Sequence, residues 1–190
     1  IHPNGCSREL EFFPEAVFVA EEDGGVRGER LSPESILNSS LVFGIDPIDG
    51  TTDFSRNLFG WCVSIGVMKR GLHVGGAIYA PDVRGGLLVA ADNDRGTLLW
   101  ENKNAKMQRV FVSKERPKKP VVTIGLDLQR SNDYNRFLAA LPKELKPRTI
   151  STSGALGLAL VAAGRIDAIV QSPQFPWDWF AGYPILIRSG

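Results

Sequence analysis

The sequence is poor in the residues that build soft-metal and nucleophilic sites. It holds two histidines, His2 and His73, and two cysteines, Cys6 and Cys62, in 190 residues. A histidine-rich zinc site and a Ser-His-Asp triad both lack material, which favours hard oxygen ligands for any metal. The cysteines form no C-x-x-C pair, so a disulfide is not expected and a reducing cytoplasm fits better. Cys62 falls in an apolar strand pattern and reads as a small core residue. His73, beside the turn at Arg70-Gly71, reads as a surface residue. Nothing approaches the run of about 20 apolar residues that a membrane helix needs. The net charge of +1 gives no pull toward nucleic acid or a membrane surface. The opening Ile1-His2-Pro3-Asn4-Gly5 is no signal peptide, and without Met it reads as the start of a fragment.

What is present suits a soluble globular chain of one domain or two small ones: 43% hydrophobic and 23% charged residues. Val17–Ala20 reads as a short strand. Residues 26–40 read as a loop with one helical turn at Pro33–Leu37. A buried strand at Leu41–Ile45 follows, then Trp61–Met68, Leu72–Tyr79, Leu87–Ala91, Thr97–Trp100 and Met107–Val112, an antiparallel meander with turns between. Ser113–Pro120 is charged and has no interleaved aromatics, so it reads as a solvated linker rather than a binding patch. The pattern then changes, which places a subdomain boundary near Pro120, dividing 1–120 from 121–190. Beyond it the pattern predicts strands at Val121–Leu126, Arg148–Ser151 and Ile166–Val170. Helices are predicted at Asn132–Leu141, Gly154–Ala163 and Asp178–Arg188, the last without a cap. The fold class expected is a layered α/β arrangement, an antiparallel sheet followed by a smaller α/β half.

The stretch Asp46-Pro47-Ile48-Asp49-Gly50-Thr51-Thr52-Asp53-Phe54 organises the chain. Pro47 is expected to break the strand ladder, and Gly50 allows a tight turn. Two carboxylates then stand beside a short helix start whose N–H groups favour anions. Acids next to phosphate-cradling amides make sense with a divalent cation between them, so the motif points to a Mg²⁺-dependent phosphate site. Two other acidic elements stand at the edges of apolar segments. Glu21-Glu22-Asp23 follows the first strand, and its bland reading is a solvated loop. Asp178, in Trp177-Asp178-Trp179, begins the last helix, and its bland reading is an N-cap worth about 0.5–2 kcal/mol.

Glu21-Glu22, the Asp46–Phe54 motif and Trp177-Asp178-Trp179-Phe180-Ala181-Gly182 together resemble the three signatures of the inositol monophosphatase family, in the family's order. The resemblance runs from about Val17 to Gly190. It implies that Glu21, Asp46, the Ile48 carbonyl, Asp49 and Asp178 bind two or three Mg²⁺, with Asp46 bridging two of them. It implies that Gly50 and Thr51 hold phosphate through backbone N–H groups. Glu21, Thr51 and Asp49 would serve catalysis, with Thr51 and Glu21 preparing a metal-activated water. Ser153, Gly154, Gln171 and Asp178 would meet the substrate. Paired metals need no covalent nucleophile, which agrees with the scarcity of histidine and cysteine.

The resemblance further implies a lithium-sensitive homodimer acting on a small phosphorylated alcohol or sugar, and the cysteine usage and net charge add a cytoplasmic setting with no nucleic acid or membrane partner. Inositol phosphate, histidinol phosphate, a sugar bisphosphate and a phosphoadenosine nucleotide are the substrate alternatives, and a non-catalytic metal-binding regulator or scaffold is the other class. The sequence departs from the pattern at Ala20, where the family usually has glycine, and at Gln171, where inositol-type members carry an acid. The loop Ser151-Thr152-Ser153-Gly154 is richer in hydroxyls than usual. The family's N-terminal helices, with a Lys and an Asp near the site, and its C-terminal elements have no counterpart, so both ends are expected to be truncated.

Overall fold

Alternation of buried with partly or fully exposed positions, as in Cys62–Lys69, builds the larger sheet. The computed structural model describes residues 12–21, 32–102, 105–115, 119–124, 132–140, 148–150, 152–171 and 174–190. Seven strands follow one another in sequence order: β1 (Val17–Ala20), β2 (Val42–Asp49), β3 (Cys62–Lys69), β4 (Leu72–Ala80), β5 (Leu87–Asp92), β6 (Gly96–Glu101) and β7 (Gln108–Arg109). From β2 onward each pair is antiparallel, the meander expected. β1 instead pairs parallel with β2, so the sheet is mixed. The strand expected at Met107–Val112 shrinks to two residues, and Val112 instead donates its N–H to the carbonyl of Ser189.

A second sheet of three parallel strands has the order β10-β8-β9, from β8 (Val121–Ile124), β9 (Arg148–Ile150) and β10 (Ala168–Val170). The helices are α1 (Pro33–Asn38), α2 (Thr51–Ser55), α3 (Asn132–Ala140), α4 (Gly154–Ala162), α5 (Pro176–Trp179) and α6 (Gly182–Ser189). Ser32 caps α1, accepting a hydrogen bond from the Ser35 N–H. The single last helix expected is two, because the chain turns at Phe180-Ala181 to lie on the sheet. Gly190, with φ 112°, stands at the C-cap of α6, where no cap was expected. The layered α/β arrangement read from the sequence is the one observed. Residues Cys6, His2, Glu22, Asp23, Leu126, Leu141 and Ser151 lie outside the described residues. Among the described residues no helix is long and apolar enough to cross a membrane.

One face of the larger sheet carries the core. Cys62, Ile78, Leu87, Val89 and Leu99 pack against Ala155, Leu156 and Ala159 of α4 and Ile185 of α6. Beside them Val19, Val42 and Met68 meet Trp177 and Phe180. Three glycines in cross-strand register, Gly44, Gly66 and Gly76, make a trough across β2, β3 and β4. The α5–α6 junction sinks into it. A Cβ on Gly44 would collide with the Phe180 ring, and one on Gly66 or Gly76 with the backbone of Phe180 or Ala181. Trp177 and Phe180, flanking Asp178, are therefore anchored to the sheet.

His73 is not the surface residue its turn position implied. Its ring lies half-buried among Phe180 (centroids 4.7 Å apart), Tyr183 (5.0 Å) and Trp179 (5.6 Å). Burial pulls its pKa down, opposed by the Phe180 backbone.

Candidate metal centre

In a regular strand, residues three apart point to opposite faces, so Asp46 and Asp49 should diverge. They do not. β2 continues through Pro47 to Asp49, rather than ending before it, and its register against β3 slips: Asp46 pairs with Ser64 and Asp49 with Cys62. Three steps on β2 answer two on β3. The extra residue is a bulge, which returns Asp49 to the face of Asp46. Pro47 sits inside this irregularity, where a missing N–H costs no ladder bond. Both carboxylates end up buried, at 2% and 9% exposure.

Asp178 joins them from the other layer. It is the third residue of α5, and its Oδ2 accepts the Phe175 N–H at 2.9 Å. Asp178 is therefore not the N-cap its position implied: Phe175 holds that place, and Asp178 caps from the third helical position by accepting the N-cap N–H. Carboxylate oxygens of Asp46, Asp49 and Asp178 lie within 4.8 Å of one another, and together these groups could hold a metal ion. Glu21 follows β1, whose last residue, Ala20, pairs with Ile45. Glu21 is exposed and lies outside the close group, yet its charge acts on Asp46.

The electrostatics are those of acids gathered away from water. Burial, then Asp49, then Glu21 push the Asp46 pKa up to about 8. Burial raises Asp49 to about 6, held back by hydrogen bonds from Ala155 and Ser153. Like charges that raise one another's pKa are stabilised by a cation between them. The donor set is all oxygen, which fits a hard divalent ion such as Mg²⁺.

Each carboxylate is held by short contacts. Asp46 Oδ1 accepts the Ile48 N–H at 3.0 Å. Asp49 Oδ2 accepts the Ala155 N–H at 2.6 Å, at the start of α4. The Cys62 thiol donates to the same oxygen at 3.7 Å and lies 3.5 Å from Ser153 Oγ. Cys62 is thus a core residue, as its pattern implied, with its sulfur at the site's edge. Burial and the Asp49 charge keep that thiol protonated.

The phosphate-cradle candidates follow directly. Gly50 has φ 96° and precedes α2 as its N-cap. A side chain there would crowd Ser153 Cβ, the Trp61 Cα and the Gly60 carbonyl. Thr51 is exposed, and its Oγ1 donates to the Ile48 carbonyl at 3.3 Å. Ser153 donates its N–H to Gly60 at 2.7 Å, clamping α4 to the loop before β3. Gly154 opens α4, and a Cβ there would lie 2.7 Å from the amide nitrogens of both Gln171 and Gln174. Gln171 therefore stands beside Gly154.

The model of the inositol monophosphatase family matches residues 6–190. The chain belongs to the inositol monophosphatase family. It is 33% identical over 185 residues to the inositol-1-monophosphatase of Bacillus subtilis (strain 168), covering 96% of this chain and 64% of that protein. It is 28% identical over 181 residues to the Nus factor SuhB of Escherichia coli (strain K12), covering 94% and 62%. The crystal structure of the extragenic suppressor protein suhB from Bartonella henselae superposes with a TM-score of 0.76 at 28% identity, over 97% of this chain and 66% of that one. The chain thus spans less than two thirds of each of these family members.

Sequence reasoning missed four neighbours of these residues: Cys62, Ser64, the Ala155 backbone and Gln174. Period-2 counting along β3 places Cys62, Ser64, Gly66 and Met68 on one buried face, so the first two could have been found opposite the acids. Ala155 and Gln174 carry no local signal.

Proposed function

We propose that this chain catalyses the Mg²⁺-dependent hydrolysis of a small phosphate monoester, of the kind an inositol-1-monophosphatase acts on. The observation that carries the reading is the convergence of Asp46, Asp49 and Asp178 within 4.8 Å beside the Gly50 turn. The inositol-1-monophosphatase name of the Bacillus subtilis relative supports it. Asp46, Asp49, Asp178, the Ile48 carbonyl and Glu21 would hold two or three Mg²⁺. Ions held there would supply neutralisation of the phosphate charge and activation of water. The N–H groups of Gly50 and Thr51 receive the phosphate. Thr51 Oγ1 would orient the attacking water, and the Glu21 carboxylate would take its proton. Ser153, Gly154 and Gln171 face the alcohol, with Asp178 contacting it from the metal side. Lithium sensitivity, a cytoplasmic setting and a homodimer belong to the same proposal.

A second reading has one observation in its favour: a relative is named as a Nus factor. It is a regulator that keeps the fold and binds metal without turnover. Phosphate release from a panel of small monoesters decides between them, measured with Mg²⁺, with EDTA and with Li⁺. Release that EDTA abolishes supports the phosphatase. Undetectable release alongside retained Mg²⁺ binding supports the regulator.

A further inference from the structure

Ser64 lies at the middle of β3, fully buried, and its Oγ has no hydrogen-bond partner. Only His73 Nδ1 shares that condition among the described residues. A buried hydroxyl left unpaired costs about 1–3 kcal/mol, so its retention in a strand centre calls for a reason.

The register supplies one. Ser64 pairs with Asp46, and Cys62 with Asp49. Residues directly opposite on antiparallel strands share a face, with Cβ atoms about 4.5–5.5 Å apart. Cys62 uses this placement, since its thiol donates to Asp49 Oδ2. β3 therefore sets one hydrogen donor opposite each carboxylate of β2, and only one of the two is engaged. Asp46 Oδ1 is taken by the Ile48 N–H, and no hydroxyl contributes. Metal-binding carboxylates are held in orientation by such outer donors.

We propose that Ser64 is a positioning residue for the metal centre: its hydroxyl donates to Asp46, directly or through one buried water, when that carboxylate is turned to a divalent cation. The proposal rests on the reading of Asp46, Asp49 and Asp178 as a Mg²⁺ site. It differs from the bland alternative in a measurable way. A hydroxyl that is only a packing compromise can be removed with no effect on metal, and its removal relieves an unpaired group.

The test is Mg²⁺ titration by calorimetry, with thermal unfolding in EDTA and in Mg²⁺, on the wild type, Ser64→Ala and Ser64→Cys. Ser64→Ala is expected to melt in EDTA at or above the wild-type temperature. Its Mg²⁺ affinity is expected to fall by about 10–100-fold, the usual effect of losing an outer-sphere partner, and the Mg²⁺-induced stabilisation to shrink with it. Ser64→Cys, which keeps a weak donor, is expected to fall between. Wild-type Mg²⁺ affinity in Ser64→Ala would overturn the assignment while leaving the metal site standing. A wild-type protein that binds no divalent cation would overturn the metal site itself, and this role with it.

Discussion

Asp49 Oδ2 accepts a 2.6 Å hydrogen bond from the backbone N–H of Ala155, 106 positions further along the chain. This contact ties the bulged end of β2 to the first turn of α4, where N–H groups and the helix dipole favour a negative charge. Two halves of the molecule that read as separate in sequence meet at one carboxylate oxygen. Substitution there should separate charge from fold. Asp49→Asn keeps an acceptor for the Ala155 N–H, so the protein is expected to stay folded by circular dichroism. Mg²⁺-dependent phosphate release is expected to fall more than about 100-fold, beyond the range of outer-sphere changes. Wild-type turnover in this variant would remove Asp49 from the site.

Asp178 serves as helix cap and proposed ligand at once, and two variants pull those roles apart. Asp178→Asn retains an oxygen for the Phe175 N–H, so thermal stability in EDTA is expected to match wild type. Asp178→Ala loses the cap and is expected to cost about 0.5–2 kcal/mol. Both are expected to lose Mg²⁺ affinity. If the asparagine variant binds Mg²⁺ as wild type does, the residue is a cap and nothing more.

The raised pKa values of Asp46 (about 8) and Asp49 (about 6) set a pH dependence with a definite sign. In the unfolded chain both ionise near 3.8. The metal-free folded state thus holds protons that the unfolded state has released. Their stabilisation is complete below 3.8 and is lost as pH rises through 6 and then 8. A cation must displace the same protons, so Mg²⁺ affinity rises across that window. Melting curves from about pH 5 to about pH 8.5 should show stability in EDTA falling, and the Mg²⁺-induced shift growing. A shift independent of pH would contradict both assignments.

The glycine trough gives a packing prediction. Gly66→Ala sets a methyl group against the backbone of Phe180 and Ala181, which cannot move as a flexible side-chain tip could. Overpacking of this kind costs about 1–3 kcal/mol, so a lower melting temperature is expected. Mg²⁺ affinity should drop too, because the displaced junction carries Asp178. Unchanged metal binding in a destabilised Gly66→Ala would show that Asp178 is positioned from elsewhere.

Most of the strands, and the acids themselves, were legible because alternation and turn residues are local signals. Val42–Asp49 shows the limit. Read locally, Pro47 ends the strand, and only the ladder against β3 reveals a bulge that keeps the strand going and turns Asp49 inward. His73 was misread for a similar reason: a turn neighbour says nothing about Phe180, Tyr183 and Trp179 arriving from a distant helix pair. Ser64 and Cys62 lay within reach of period-2 counting, but their chemistry depends on which residues of β2 they face.

Since the Phe180 ring rests on Gly44 and the Phe180-Ala181 backbone on Gly66 and Gly76, the height of the α5–α6 junction is set from below, by the sheet. Residues upstream of Pro176, including Gln171 and Gln174, can therefore diverge without disturbing the triangle of carboxylates. On the proposed reading, the choice of alcohol beside Gly154 and the holding of the cation by the three carboxylates could then change independently.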